Sequence, residues 1–207
     1  MTAHVTSHED DALLDAARMA FLDLGIRRAS VGEVAKRAGI DRVTVYRRIG
    51  SKDELVTAVV MRDASRLFDS IRLAASVADP STGDAGRVVA AFVAMMRGLR
   101  DNQLLQRVMT LEPDTVLTLL TVNGSPILLA AIDVAAELLR GDGSVAVDED
   151  DVLARAEIVV RLAHSFILTP HAVLDSEDDD AIERVARRFL TPMLTGVPSP
   201  DPAPAHP

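Results

Sequence analysis

Cysteine and tryptophan are absent from this chain, and its aromatic complement is five phenylalanines and one tyrosine. Without cysteine there is no disulfide framework and no thiolate zinc site, a composition that fits a cytosolic protein. So few aromatic side chains, beside abundant alanine, leucine, valine and arginine, favour helices over sheets. No stretch approaches the roughly 18 apolar residues needed to span a bilayer. The first residues, MTAHVTSHEDD, carry no apolar signal segment. A cytoplasmic location is expected, with no membrane contact. Catalytic signatures are missing too: there is no G-x-S-x-G, no phosphate-cradling glycine loop and no histidine pair at metal spacing. An enzyme is therefore not expected, nor a cofactor. The acid runs Asp148–Asp151 and Asp175–Asp180 lack the alternating carboxylates, glycine and terminal glutamate of a calcium loop, so they read as helix caps and no metal is expected.

What is present is a basic segment in an acidic chain. From Arg27 to Lys52 there are eight basic and two acidic residues, a local balance of +6 in a protein of net charge −9. Such a charge distribution concentrates the electrostatic footprint in one place. The same segment reads as two short helices and a turn. Ser30 and Glu33 form an S-x-x-E capping box that starts a helix at Val31. Val31, Val34, Ala35 and Ala38 follow helical spacing, and Gly39 stands where a left-handed cap ends the helix. Asp41 can cap a second helix over Arg42 to Arg48, with Val45 and Ile49 facing inward. Ser51 and Glu54 make another capping box, from which a third helix runs to about Val77, roughly 39 Å at ~1.5 Å per residue. Two short helices about a glycine-containing turn are the geometry of a helix-turn-helix, whose second helix can enter the major groove of DNA. Arg42, Val43 and Arg47 lie on that second helix and are the candidates for base edges: arginine can take guanine O6 and N7 together, and valine can touch a thymine methyl.

These residues resemble the DNA-binding domain of the TetR family of bacterial transcriptional regulators. Matches to the family pattern fall at Ser30, Val34, Ala35, Ala38, Gly39, Ile40, Thr44, Tyr46, Ser51, Lys52 and Leu55. Departures fall at Arg48, where the family usually has His or Tyr, and at Ile49, where Phe is common. Close resemblance covers about a quarter of the chain; the remainder is similar in length and helical pattern. It implies that Thr44, Tyr46, Arg48 and Lys52 hold phosphates, and it adds Ser30 to the DNA-binding set. It also implies an all-α fold, with an N-terminal three-helix domain over 1–55 and a C-terminal ligand-binding and dimerisation domain over 56–196. The helix over about 52–77 would link them, and a proline-rich, disordered tail over 197–207 would follow.

Around that segment the pattern stays helical. Leu13, Leu14, Ala17, Ala20, Phe21 and Leu24 make one stripe that can brace the two short helices from behind. Further helices are expected over about 85–99, 103–111, 113–122, 126–139 and from about 148 to before Pro170, with a last one over about 179–194. In the family it resembles, the last two helices of each subunit form a four-helix bundle across a two-fold axis, so helices over about 150–169 and 179–194 are the candidate homodimer surface. Two-fold symmetry repeats the recognition helix about one DNA turn away, ~34 Å, and thus expects a palindromic operator. Phe92, Met95, Met96, Met109 and His164 sit among apolar positions and are candidates for a small-molecule effector pocket, though a structural core explains them without any ligand and is the favoured reading for each. The function expected is a DNA-binding transcriptional regulator, in the form of a ligand-responsive repressor. The alternative is a helical small-molecule-binding or interaction protein without DNA-binding activity.

Overall fold

In the computed structural model, residues 8–121, 125–141, 148–169 and 174–195 are described. Helix follows helix: α1 (His8–Leu24), α2 (Val31–Ala38), α3 (Arg42–Arg48), α4 (Lys52–Ser76), α5 (Gly83–Asp101), α6 (Gln103–Leu111), α7 (Pro113–Leu120), α8 (Ser125–Arg140), α9 (Glu149–Leu168), α10 (Asp179–Val185) and α11 (Thr191–Thr195). Among the described residues there is no β-strand, and no helix is long and apolar enough to cross a membrane. The proline-rich tail lies outside the described residues.

Local chemistry accounts for the early boundaries. Ser30 Oγ accepts the Glu33 N–H at 3.1 Å, while the Glu33 carboxylate accepts from Arg37 Nε instead of returning to Ser30. Gly39 closes α2 at φ +68°, a conformation nearly free for glycine and costly for a residue with a Cβ. Ser51 and Glu54 complete both halves of their box, at 3.2 and 2.7 Å, and α4 starts there. Asp148 and Asp178 cap α9 and α10 by accepting the N–H two residues on.

The chain forms two units: Met1–Ser65 with Asn102–Ser125, and Arg66–Asp101 with Pro126–Pro207. In the first, Leu13, Ala17 and Phe21 of α1 meet Val31 and Val34 of α2, Val45 of α3 and Leu55 and Val59 of α4. Each large apolar side chain fully buried in this way contributes about 1.5–3 kcal/mol before the entropy of ordering it. Arg18–Asp63 at 3.0 Å and Arg62–Asp15 at 2.8 Å tie α1 to α4. Helices α6 and α7, which the sequence reading assigns to the second domain, pack in this unit, because Leu104, Val108 and Val116 bury their apolar faces against the same core.

In the second unit, Val89, Phe92 and Met96 of α5 pack with Val159 and Ala163 of α9 and with Ile182, Ala186 and Leu190. Asp179 at the start of α10 accepts from Arg100 at 2.7 Å and also from Arg97. The helix expected over 179–194 is continuous but not α-helical throughout: residues Ala186–Leu190 form a π-turn, in which the Thr191 N–H reaches back to the Ala186 carbonyl. Pro192 supplies the reason. It lacks an N–H and its ring crowds the carbonyl four residues earlier, so the turn before it widens, and Thr191 Oγ1 also donates to Ala186 O at 3.2 Å.

Candidate functional site

Helix α3 is short, so one buried residue fixes which way it faces. Val45 is fully buried in the first unit's core, and this leaves Val43 and Tyr46, 73% and 48% exposed, on the outer side with Arg42 and Arg47. Arg42 lies over the Tyr46 ring, 6.0 Å from its centroid, a cation–π contact that limits the wandering of both side chains. Among the described residues no carboxylate pairs with Arg42 or Arg47, whereas Arg18, Arg37, Arg48 and Arg62 of the same unit all have acid partners. Two arginines held apart from the acids of an acidic protein are available to an external anion or a guanine edge.

The remaining sequence candidates divide by what they already touch. Tyr46 stands at the surface. Lys52 spends one of its three N–H donors on the Arg27 carbonyl, at 2.8 Å, which joins the start of α4 to the loop between α1 and α2. Thr44 gives its backbone N–H and its hydroxyl to Asp41, both at 2.8 Å, as part of the α3 cap. Arg48 pairs with Glu9 and lies 3.9 Å from Asp10, both at the start of α1. Ser30 is occupied in capping α2.

The Asp41 cap carries a pH dependence. Acceptance of the Thr44 backbone N–H, and then of its hydroxyl, holds the Asp41 carboxyl below its usual range. A carboxylate held low in the folded state stabilises that state above the unfolded carboxylate pKa, about 4. The contribution is lost as pH falls through the lowered folded value. Asp41→Ala is thus expected to melt below the native protein at pH 7, by a gap that narrows under acid. Thermal melts from pH 7 to pH 3 check this, and a gap that widens under acid would show that Asp41 acts otherwise.

One residue that orders this region escapes a reading of the sequence. Glu112, at the α6–α7 junction, is buried, and its two carboxylate oxygens accept the Arg27 backbone N–H at 3.1 and 3.3 Å. It therefore holds the α1–α2 loop from which the Arg27 carbonyl reaches Lys52. Its only sequence signal is an acid directly before a proline at a helix boundary.

The second unit holds a partly open cavity of about 470 Å³, within the range of small-molecule sites. Phe92 and Met95 line it, with Phe68 and Ile71 of α4, Val134 of α8 and Val160 of α9. Met96 is buried in the adjoining core and is not part of the wall. Met109 packs on the core of the first unit. His164, on α9, is also absent from the wall, and its Nε2 is buried with no hydrogen-bond partner among the described residues. Among those residues no group of acidic, histidine or cysteine side chains could hold a metal ion.

Comparison with known proteins agrees with this geometry. Residues 13–59 match the family model described as bacterial regulatory proteins, tetR family, and residues 84–190 match that of the bacterial tetracyclin repressor C-terminal domain. The HTH-type transcriptional regulator Rv1255c of Mycobacterium tuberculosis is 30% identical over 197 residues, covering 94% of this chain and 90% of the relative. The HTH-type transcriptional regulator AlkX of the same organism is 27% identical over 88% of this chain and 83% of its own length. Among solved structures, the TetR family repressor AlkX from a Dietzia strain, implicated in biodegradation of n-alkanes, superposes with a TM-score of 0.70. It is 21% identical, covering 92% of this chain and 97% of that one.

Proposed function

The chain belongs to the tetR family of bacterial regulatory proteins and is a DNA-binding transcriptional regulator; we propose that it acts in the cytoplasm as a homodimeric repressor that leaves a palindromic operator when a small molecule fills the cavity of its second unit. The observation that carries the DNA reading is the outer face of α3, where Arg42 and Arg47 stand exposed beside Val43 and Tyr46, without carboxylate partners among the described residues. In this proposal Arg42, Val43 and Arg47 read bases. Tyr46 and Lys52, with Thr44 and Arg48 once they leave their acid partners, hold phosphates and set the register. Ser30 serves the interface by fixing where α2 begins.

Support for the homodimer comes from α9 and the segment over 179–194, which expose Leu153, Ile158 and Phe189 at 37%, 50% and 58%. Two such faces would cover each other across a two-fold axis. Support for an effector comes from the cavity wall and from α4, which carries Phe68 and Ile71 at that wall and Lys52 at its other end. A ligand shifts operator affinity only if it binds the DNA-competent and DNA-free states differently. The division of labour proposed is thus DNA binding by residues 1–55 and ligand binding and dimerisation by residues 56–196.

Selection of fragments from a random DNA pool by the purified protein tests the reading. A recovered palindrome with half-sites about one turn, ~34 Å, apart is the expected outcome. Failure to enrich any sequence at any salt concentration would favour the reading without DNA binding.

A further inference from the structure

The walls of the second unit's cavity are sorted by chemistry. Its body is largely apolar, with Phe68, Ile71, Phe92, Met95 and Val134 contributing no strong donor or acceptor, and with Thr195, whose hydroxyl donates to the Thr191 carbonyl at 2.8 Å. The backbone behind them is helical and its polar groups are already paired. A sugar, a nucleoside or a polyamide entering this space would lose hydrogen bonds to water and recover few of them. Charge is confined to one end. Asp84, Arg87 and Arg140 belong to the wall; a Cβ placed at Gly141 would lie 3.4 Å from Arg87 Nη1, which brings Arg87 to the end of α8, where Arg140 precedes Gly141 in the chain.

The two arginines at that end are turned inward relative to their acid partners. Arg87 is 37% exposed where Asp84 is 76% exposed, and Arg140 is 39% exposed where Glu149 is 57% exposed. Glu149 is not a wall residue. The contact between Arg87 and Asp84 is long, 3.3 Å, and links residues three apart on a solvated helix turn, so it is readily exchanged for a better anion. Guanidinium keeps its charge at every accessible pH and offers paired N–H groups that match a carboxylate. The cavity therefore has two permanent cations at its charged end, Arg87 paired with Asp84 and Arg140 with both oxygens of Glu149, and a largely apolar wall beyond them.

Resting on the reading of this cavity as the effector site, we infer that the effector is an amphipathic monoanion, an apolar body with one carboxylate engaged by Arg87 and Arg140. At roughly 30 Å³ for each water-sized group, the volume holds about 15 heavy atoms. Dodecanoate has this size and chemistry. Dodecan-1-ol keeps the body and removes the charge, and dodecylamine reverses it.

Calorimetric titration of the full-length protein with these three compounds, below micelle-forming concentrations, separates the possibilities. Dodecanoate is expected to bind at least about tenfold more tightly than the alcohol or the amine, as one charge-assisted pair provides. Arg87→Gln together with Arg140→Gln is expected to bring the acid down to the affinity of the alcohol, and Arg87→Gln alone should remove part of the preference. Equal affinity for acid and alcohol in the native protein, or preference for the amine through Asp84, would overturn the head-group inference and leave the cavity as a ligand site. Absence of binding by all three, with an unchanged melting temperature, would overturn the cavity reading as well. The native-protein comparison decides between these outcomes whether or not the double variant folds.

Discussion

Replacing Arg42 or Arg47 by alanine is expected to weaken operator binding by about 1–3 kcal/mol in each half-site, at the base pair that the arginine reads. On the proposed two-fold operator the loss occurs twice, so the whole complex loses about 2–6 kcal/mol, or about 30-fold to about 10⁴-fold in affinity. The melting temperature should not move, because both guanidiniums are exposed and neither has a carboxylate to leave behind. Arg42 has the tighter expectation, since the Tyr46 ring already limits where it can point and less entropy is lost on docking. Titration of a labelled operator, and of operators changed one base pair at a time, checks the assignment. A base reader gives a variant that binds weakly and no longer distinguishes the changed base pair. If Arg42→Ala weakens operator and random DNA equally, that arginine belongs with the phosphate contacts. Lys52→Ala provides the contrast, with a loss that is uniform across sequences and a shallower salt dependence, by about one unit of slope per contact.

The difference between those two behaviours follows from how the first unit uses its charges. Several of its arginines are spent internally: Arg18 and Arg62 join α1 to α4, Arg37 joins Asp23 and Glu33, and Arg48 joins the start of α1. Among the described residues Arg42 and Arg47 of α3 remain without an acid partner, as do the exposed Arg28 and Lys36 of the same basic segment. A count of +6 overstates the charge presented to DNA, and the exposed cations without an acid partner among the described residues are the better guide to it.

Much of this was legible in the sequence because it is local. The Ser51–Glu54 box, the Gly39 cap and the Asp41 cap join groups two to five residues apart, so spacing alone identifies them, and α2, α3 and α6 begin and end where their caps and apolar spacing place them. The outward face of α3 follows from Val45 being the residue that the core takes. Long-range partners were not legible. Nothing near Glu112 tells that it will meet Arg27, 85 residues away, and nothing near Arg48 announces Glu9. The effector candidates show the same limit. Phe92, Met95, Met96 and Met109 share a helical, apolar setting, yet Phe92 and Met95 line the cavity, Met96 lies in the core beside it and Met109 is part of a different core. Helical periodicity places a side chain on a face, and only the packing of other helices decides what that face meets. The π-turn before Pro192 lies between these cases: its cause is one residue, legible in sequence, but the wider turn is one of several ways a helix can accommodate a proline.

Gly25→Ala should be among the most destabilising single methyl additions in the first unit. Gly25 stands at φ +82°, where an alanine costs roughly 1–2 kcal/mol. A Cβ there would also overlap Glu112 Oε1, forcing away the carboxylate that accepts the Arg27 N–H and losing a buried charged hydrogen bond at about 1–3 kcal/mol. Together the two effects amount to about 2–5 kcal/mol, a large part of the ~5–15 kcal/mol that holds an ordinary domain folded. Glu112→Ala alone should lose only the second of them. In Gly25→Ala, Glu112→Ala the carboxylate is already gone and the new methyl meets open space, so the double variant should be more stable than the sum of the single losses by about 1–3 kcal/mol. Denaturant titrations of the four proteins measure that coupling, and strictly additive losses would show that Glu112 does not hold the loop at Gly25. DNA binding offers an independent readout. Because the Arg27 carbonyl accepts from Lys52 at 2.8 Å, releasing Glu112 frees the loop that positions Lys52, and Glu112→Ala should weaken operator binding under conditions where the protein remains fully folded. Glu112→Gln keeps an acceptor oxygen and should restore most of that affinity. The α5 helix, whose Phe92 and Met95 line the cavity, passes at Asp101 directly into α6 and so to Glu112. An effector that displaces α5 along its length would therefore act on operator affinity through this carboxylate, and in Glu112→Ala the effector's influence on DNA binding should shrink even where its own affinity is unchanged.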